Sequence, residues 1–405
     1  MLINKFYEIN SCDDVELNIK RESKLEYRIT FDDSKDLKAI VFIIGGLGSN
    51  TNISFLDFDR EYLAKNFDVV VVNVFYHCFC ARKSINEKYN PKIVPNEQDL
   101  HQIQKLLSNI GLSHIIADEK NYYNLLYPTI EEHIKKLKEE KIIEKDIKAY
   151  FNCDFIPPNN DYQNYGIMAA IDHINALKDI VKNYPEFKNL PKIYGGGSYG
   201  GYLSLLIAKI APWYVDGVVD NSAITMPFIP HILGRETEIA EFVFSGENVN
   251  LNCYVKKYWT RNINSPFYLD DDNYIIRSIL NQRHIQIQKE LNSNIIYIHY
   301  HSAKDFGAPA KDKIELHKIY KNLGFDSTLH LIESEDQIDG KLVKSLEHGL
   351  RMTDKALFRQ ELPIVLEKLK NRNSFMKENS ISYPCKNKVF TFKDKEDKFV
   401  LEIKN

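Results

Sequence analysis

Gly196-Gly197-Ser198-Tyr199-Gly200-Gly201 is the stretch on which the reading of this chain turns. It joins a short apolar segment, Lys192-Ile193-Tyr194, to an apolar run over residues 202–210 whose length suits a helix. A serine between glycines at a strand-to-helix junction sits on a turn too tight for neighbouring side chains, and its hydroxyl stands clear of the backbone. The pattern predicts that Ser198 is a nucleophile. A serine hydroxyl is weak at neutral pH, so the chain must also supply a base, an acid to orient that base, and donors for a developing oxyanion.

Downstream, residues 295–298 read as a strand, and His299-Tyr300-His301-Ser302-Ala303-Lys304-Asp305 leads off it. After a helix near 311–323 and a strand over 328–332 comes Glu347-His348-Gly349-Leu350, ahead of a helix near 354–370. The order Ser198, Asp305, His348 makes His348 the base and Asp305 the carboxylate that fixes its tautomer. Asp220, after Gly217-Val218-Val219, is the alternative acid because it too follows a strand. His299 and His301 are read as structural, since strand alternation puts both on one face.

One oxyanion donor is expected from the Tyr199 N–H, and the other from Leu47 or Gly46 in Gly45-Gly46-Leu47-Gly48-Ser49-Asn50. That loop follows a buried strand at 39–44 and lacks the Gly-Lys-Ser/Thr of a phosphate-binding loop. Tyr76-His77-Cys78-Phe79-Cys80-Ala81-Arg82 follows another buried run at 69–75 and opens on the same edge. Tyr76 and Arg82 are therefore candidate substrate contacts, Arg82 as an anchor for a carboxylate.

Further strands at 6–9, 25–31 and 217–219 complete an α/β pattern, a mostly parallel doubly wound sheet over residues 1–370. Two insertions, at about 83–158 and 223–290, break the alternation. The first carries a helical pattern over 129–150, opened by a capping box of Thr129 and Glu132, with a charged face expected to be solvated. The second is rich in aromatic residues, including Tyr254, Tyr258 and Trp259. Both are read as helical caps over the C-terminal edge of the sheet, where open α/β sheets bind ligands, or as extra helices packed elsewhere on the core. Residues 371–405 form an extension in which 389–392 and 399–403 read as a β-hairpin.

A formal net charge of −3 over 405 residues gives no reason to expect nucleic acid or a membrane as partner. Six dispersed cysteines, none in Cys-x-x-Cys, argue against a disulfide framework and for a reducing, cytoplasmic setting. No run approaches the about 18–20 apolar residues that span a bilayer. His77, Cys78 and Cys80 are too close in sequence to surround a tetrahedral zinc ion, and Asp270-Asp271-Asp272 reads as helix-start carboxylates. Neither a cofactor nor a metal is called for.

With these residues, the chain resembles the α/β-hydrolase superfamily. Its Gly-Gly-Ser-Tyr-Gly-Gly is similar to the nucleophile elbow of prolyl-oligopeptidase-like serine hydrolases, although Gly45-Gly46 stands where many relatives carry His-Gly. The likeness covers about 25–225 and 290–370. As a whole the chain is also similar to a bacterial hydrolase-like family associated with flagellin-glycosylation loci. The resemblance implies a serine hydrolase acting on an ester, thioester or amide through an acyl-serine intermediate. Its substrate would be a small-molecule or glycan acyl ester. Two alternatives stay open: acyl transfer to or from a sugar with the same triad, and a non-catalytic hydrolase-like binding protein.

Overall fold

Unbroken apolar runs form the middle of the molecule, because a strand covered on both faces has no solvated side to alternate with. The computed structural model describes residues 1–47, 52–79, 85–120, 122–374 and 376–405. The chain opens with β1 (Leu2–Asn10) and β2 (Lys24–Asp32), followed by β3 (Ile40–Ile43), α1 (Ile53–Phe67) and β4 (Val70–Phe75). The first insertion supplies β5 (Lys92–Val94), α2 (Glu97–Asn109), α3 (Tyr127–Glu139) and β6 (Ala149–Ile156). Next come α4 (Ile167–Asn183), β7 (Lys192–Gly197), α5 (Tyr199–Ile210) and β8 (Gly217–Asn221). The second insertion holds α6 (Ile229–Leu233), β9 (Phe242–Ser245), β10 (Val249–Val255), α7 (Asp271–Arg277) and α8 (Gln282–Leu291). Then follow β11 (Ile296–Ser302), α9 (Ala310–Asn322), β12 (Asp326–Ile332) and α10 (Asp354–Leu369). The chain finishes with β13 (Ser380–Pro384), β14 (Val389–Lys395) and β15 (Lys398–Lys404).

The eight-stranded central sheet runs β1-β2-β4-β3-β7-β8-β11-β12. From β4 to β12 every neighbouring pair is parallel, and β2 is antiparallel to both of its neighbours. This is the α/β-hydrolase fold. Successive side chains sort to opposite faces. Val41, Val71, Ile193 and Val219 pack with α1 and α10, while Phe42, Val72 and Tyr194 pack with α4, α5 and α9. Because the strands are parallel, the ends of β3, β7, β8 and β11 share one edge, and the site is built there.

The insertions carry helices and, in addition, a four-stranded sheet, β5-β6-β10-β9. Two details of the helical pattern over 129–150 are corrected. The helix starts earlier, at Tyr127, growing out of a π-turn over Tyr122–Leu126, so Thr129 lies inside it and caps nothing. Glu132 pairs instead with Lys136, at 3.2 Å. The helix also stops at Glu139, and Tyr150 belongs to β6, where Phe151, Cys153 and Phe155 turn inward with a period of two. Parallel pairing of β6 with β10, in which Cys153 faces Cys253, overrides the local helical pattern. Part of the charged face is used structurally: Glu131 accepts two N–H groups of Asn248, and Lys138 donates to its Oδ1.

The C-terminal strands form a separate antiparallel sheet, the expected hairpin of β14 and β15 with β13 added. Its inner side chains, including Tyr383, Phe390, Phe392 and Phe399, join the main core. The acidic run at the start of α7 holds it. Asp270 caps that helix, and Asp272 accepts the N–H groups of Lys386, Asn387 and Lys388. Among the described residues no helix is long and apolar enough to cross a membrane.

Candidate active site

β7 delivers the chain to Ser198 and α5 carries it away. Ser198 itself has φ 55° and ψ −118°, a region costly for a residue with a side chain (about 1–3 kcal/mol) and tolerated where surrounding structure enforces it. The enforcement is visible on both sides. A Cβ on Gly196 would lie 1.9 Å from the Ile44 carbonyl oxygen, and one on Gly200 would lie 1.8 Å from the same atom. The elbow is thus pressed against the end of β3, and only glycines allow it.

His348 Nε2 lies 2.7 Å from Ser198 Oγ, and its Nδ1 lies 2.9 Å from both carboxylate oxygens of Asp305. Burial acts to raise the Asp305 pKa, but the hydrogen bonds from His348 and the Ala308 N–H outweigh it and hold the carboxyl below its usual range. An ionised carboxylate only accepts, so the Nδ1 proton faces Asp305 and Nε2 is left to accept from the serine hydroxyl. That is the arrangement a general base needs.

The loop carrying His348 is unusual. Gly349, Leu350 and Arg351 are all left-handed, with φ of 77°, 52° and 48°. The end of β8 holds it. Asn221 Nδ2 donates to the Gly349 carbonyl at 2.7 Å, and the Gly349 N–H donates to Ser222 Oγ at 3.0 Å. The Asn221 carbonyl also accepts the Ser198 N–H at 2.7 Å. One residue therefore ties together the Ser198 turn and the His348 loop. Sequence reasoning stopped one residue short, at Asp220. The available signal was that Asn221 and Ser222 follow a buried strand at the same edge as Ser198.

Gly46 lies over the serine, where a Cβ would sit 3.5 Å from Ser198 Cβ. Leu47 is half-buried against the main core. Tyr199 opens α5, a position whose N–H has no acceptor within the helix. Tyr76 is buried, its hydroxyl 3.5 Å from the Gly45 carbonyl and its ring against Phe79 and His173, so it backs the glycine loop. Arg82 and Gly48-Ser49-Asn50 lie outside the described residues. A cavity of about 850 Å³ opens at Ser198, lined by Gly46, Asn221 and Gly349 and walled by Phe55, Phe58, Phe79 and Met352.

Asp220 is not at this site. Its carboxylate is fully buried, hydrogen-bonded to His299 Nδ1 and 3.0 Å from Lys313 Nζ. His301 Nε2 lies 2.8 Å from the Ala308 carbonyl and 3.9 Å from Asp305, behind the carboxylate and away from the serine. Among the described residues, no group of three or more His, Cys, Asp or Glu side chains is arranged to hold a metal ion.

Solved structures similar to the chain include three hydrolases. An acylaminoacyl peptidase from Pyrococcus horikoshii is 10% identical with a TM-score of 0.45, over 93% of this chain and 43% of that one. A puromycin-hydrolyzing peptidase from Mycobacterium tuberculosis is 11% identical with a TM-score of 0.46, over 92% of this chain and 40% of that one. A ferulic acid esterase is 10% identical with a TM-score of 0.39, over 91% of this chain and 98% of that one. The chain spans less than half the length of the two peptidases. No curated protein is significantly similar to it in sequence. The family model described as "Protein of unknown function (DUF2920)" matches residues 5–403, and the chain belongs to that family.

Proposed function

We propose that the protein is a serine hydrolase that cleaves a carboxylic ester, thioester or amide through an acyl-serine intermediate. The observation that carries this reading is the bond from His348 Nε2 to Ser198 Oγ, continued by His348 Nδ1 to Asp305. Ser198 Oγ attacks the acyl carbon as its proton passes to His348 Nε2, and that proton leaves with the alcohol, thiol or amine. Water, deprotonated by the same nitrogen, then releases the acid. The Tyr199 N–H and a backbone N–H of Gly46 or Leu47 stabilise the oxyanion, helped by the close approach of Gly46 to the serine. Resemblance to a family associated with flagellin-glycosylation loci makes acylated sugars the first substrates to try, by hydrolysis or by transfer. The dispersed cysteines support a cytoplasmic setting. A panel of para-nitrophenyl esters and acetylated sugars tests the reading. Turnover by the wild type that disappears in Ser198→Ala is the expected result, and turnover that survives the substitution contradicts it.

A further inference from the structure

The apolar cavity beside Ser198 holds three charged side chains, Asp59, Asp354 and Lys355. Two of them satisfy each other: Lys355 Nζ lies 3.3 Å from Asp59 and 4.2 Å from the centre of the Phe58 ring. Among the described residues Asp354 has no such counter-ion. Its Oδ1 accepts the N–H of Gly197, the residue before the nucleophile, at 2.9 Å, and the charge acting on it is the like-signed Asp59. Burial pushes its carboxyl up to about 7. An ionised carboxyl facing an apolar cavity is unfavourable until a cation arrives. Here the missing cation can come from a ligand. The neighbouring Phe58 ring already faces one ammonium, that of Lys355, and favours such groups.

We propose that Asp354 is a specificity-determining residue that selects substrates carrying an ammonium group on an apolar frame, seated in the Ser198 cavity against its Oδ2. The apolar frame rests on Phe55, Phe79 and Met352 while the ammonium replaces the absent counter-ion. The inference rests on the reading of Ser198 as nucleophile.

Asp354 also opens α10 and supports the elbow through Gly197, so the test must separate charge from support. Asp354→Asn does so, because its amide oxygen still accepts the Gly197 N–H while the charge is gone. Para-nitrophenyl aminohexanoate and heptanoate put an ammonium or a methyl group on one acyl frame. Aminohexyl and heptyl acetate move the same difference to the alcohol. In at least one pair, wild-type kcat/KM should favour the ammonium ester by about tenfold, and Asp354→Asn should bring that ratio near unity. Ratios that are the same in both proteins overturn the inference, as does an equal loss on all four esters, the mark of elbow support alone. Fluorophosphonate labelling of the wild type keeps the two claims apart. Labelled Ser198 with unchanged ratios removes only the role of Asp354, whereas no labelling removes the nucleophile and this inference with it.

Discussion

Two histidine–aspartate pairs stand towards the same edge of the central sheet, and their surroundings differ. His348–Asp305 and His299–Asp220 share one contact, an imidazole Nδ1 on a carboxylate. In the first pair the far nitrogen meets a serine hydroxyl and the ring is half-exposed. In the second the ring is fully buried, its Nε2 has no hydrogen-bond partner among the described residues, and Lys313 supplies the counter-charge to Asp220. The pair alone does not make a base. What matters is the group at Nε2 and a path to solvent.

The comparison predicts opposite phenotypes for the same chemical change. Asp305→Asn should lower turnover by about ten-thousandfold, because the wrong tautomer then faces the serine, with little change in melting temperature. Asp220→Asn should act on stability, by about 3–5 kcal/mol, because it strands the buried Lys313 cation. Denaturant unfolding and ester kinetics on both variants read the two effects. A loss of turnover confined to Asp220→Asn would reverse the assignment.

The buried pair also carries a pH signature. Burial acts to raise the Asp220 pKa, but Lys313 and His299 outweigh it and hold the carboxyl at about 2. Because the folded value lies below the unfolded one, this contribution is present above about pH 4 and is lost as pH falls towards 2. Melting temperature should therefore fall less steeply over that window in Asp220→Asn than in the wild type. Equal slopes would deny the pair its charge.

A smaller effect concerns what positions His348. Asn221→Ala removes the side-chain donor from the Gly349 carbonyl, which keeps the N–H of Met352, and so loosens the left-handed loop from the end of β8. It should reduce kcat by about 10–100-fold, with KM moving little, and crystals of the variant should show His348 displaced. A change confined to KM would assign Asn221 to substrate binding. Smallest of all, Thr129→Ala should change stability by less than about 0.5 kcal/mol, since Thr129 lies inside α3 and caps nothing. A loss near 1 kcal/mol, the usual cost of removing a cap, would restore the capping box.

How much was legible follows from what is local. Ser198 and Asp305 could be singled out because each lies just past a strand end, and His348 because it precedes the helix at 354–369; the structure brings the three side chains together. The buried runs at 39–44 and 69–75 were equally plain, being β3 and β4 with a residue or two to spare. The second sheet was hidden, because β6 acquires its identity only by pairing with β10, a hundred residues away. Asn221 and Asp354 were hidden for a related reason. Their partners, Gly349 and Gly197, are backbone groups that meet them only when the strand ends and the start of α10 converge.

The central claim is that Ser198 is activated by His348 and Asp305 and not by the buried pair. The most direct test is fluorophosphonate labelling, with the modified residue mapped by mass spectrometry. The wild type should be modified at Ser198, Ser198→Ala should not be labelled, and the labelling rate should collapse in Asp305→Asn while folded Asp220→Asn keeps it. Modification at another residue, or a rate that falls with Asp220 and not with Asp305, would contradict the account.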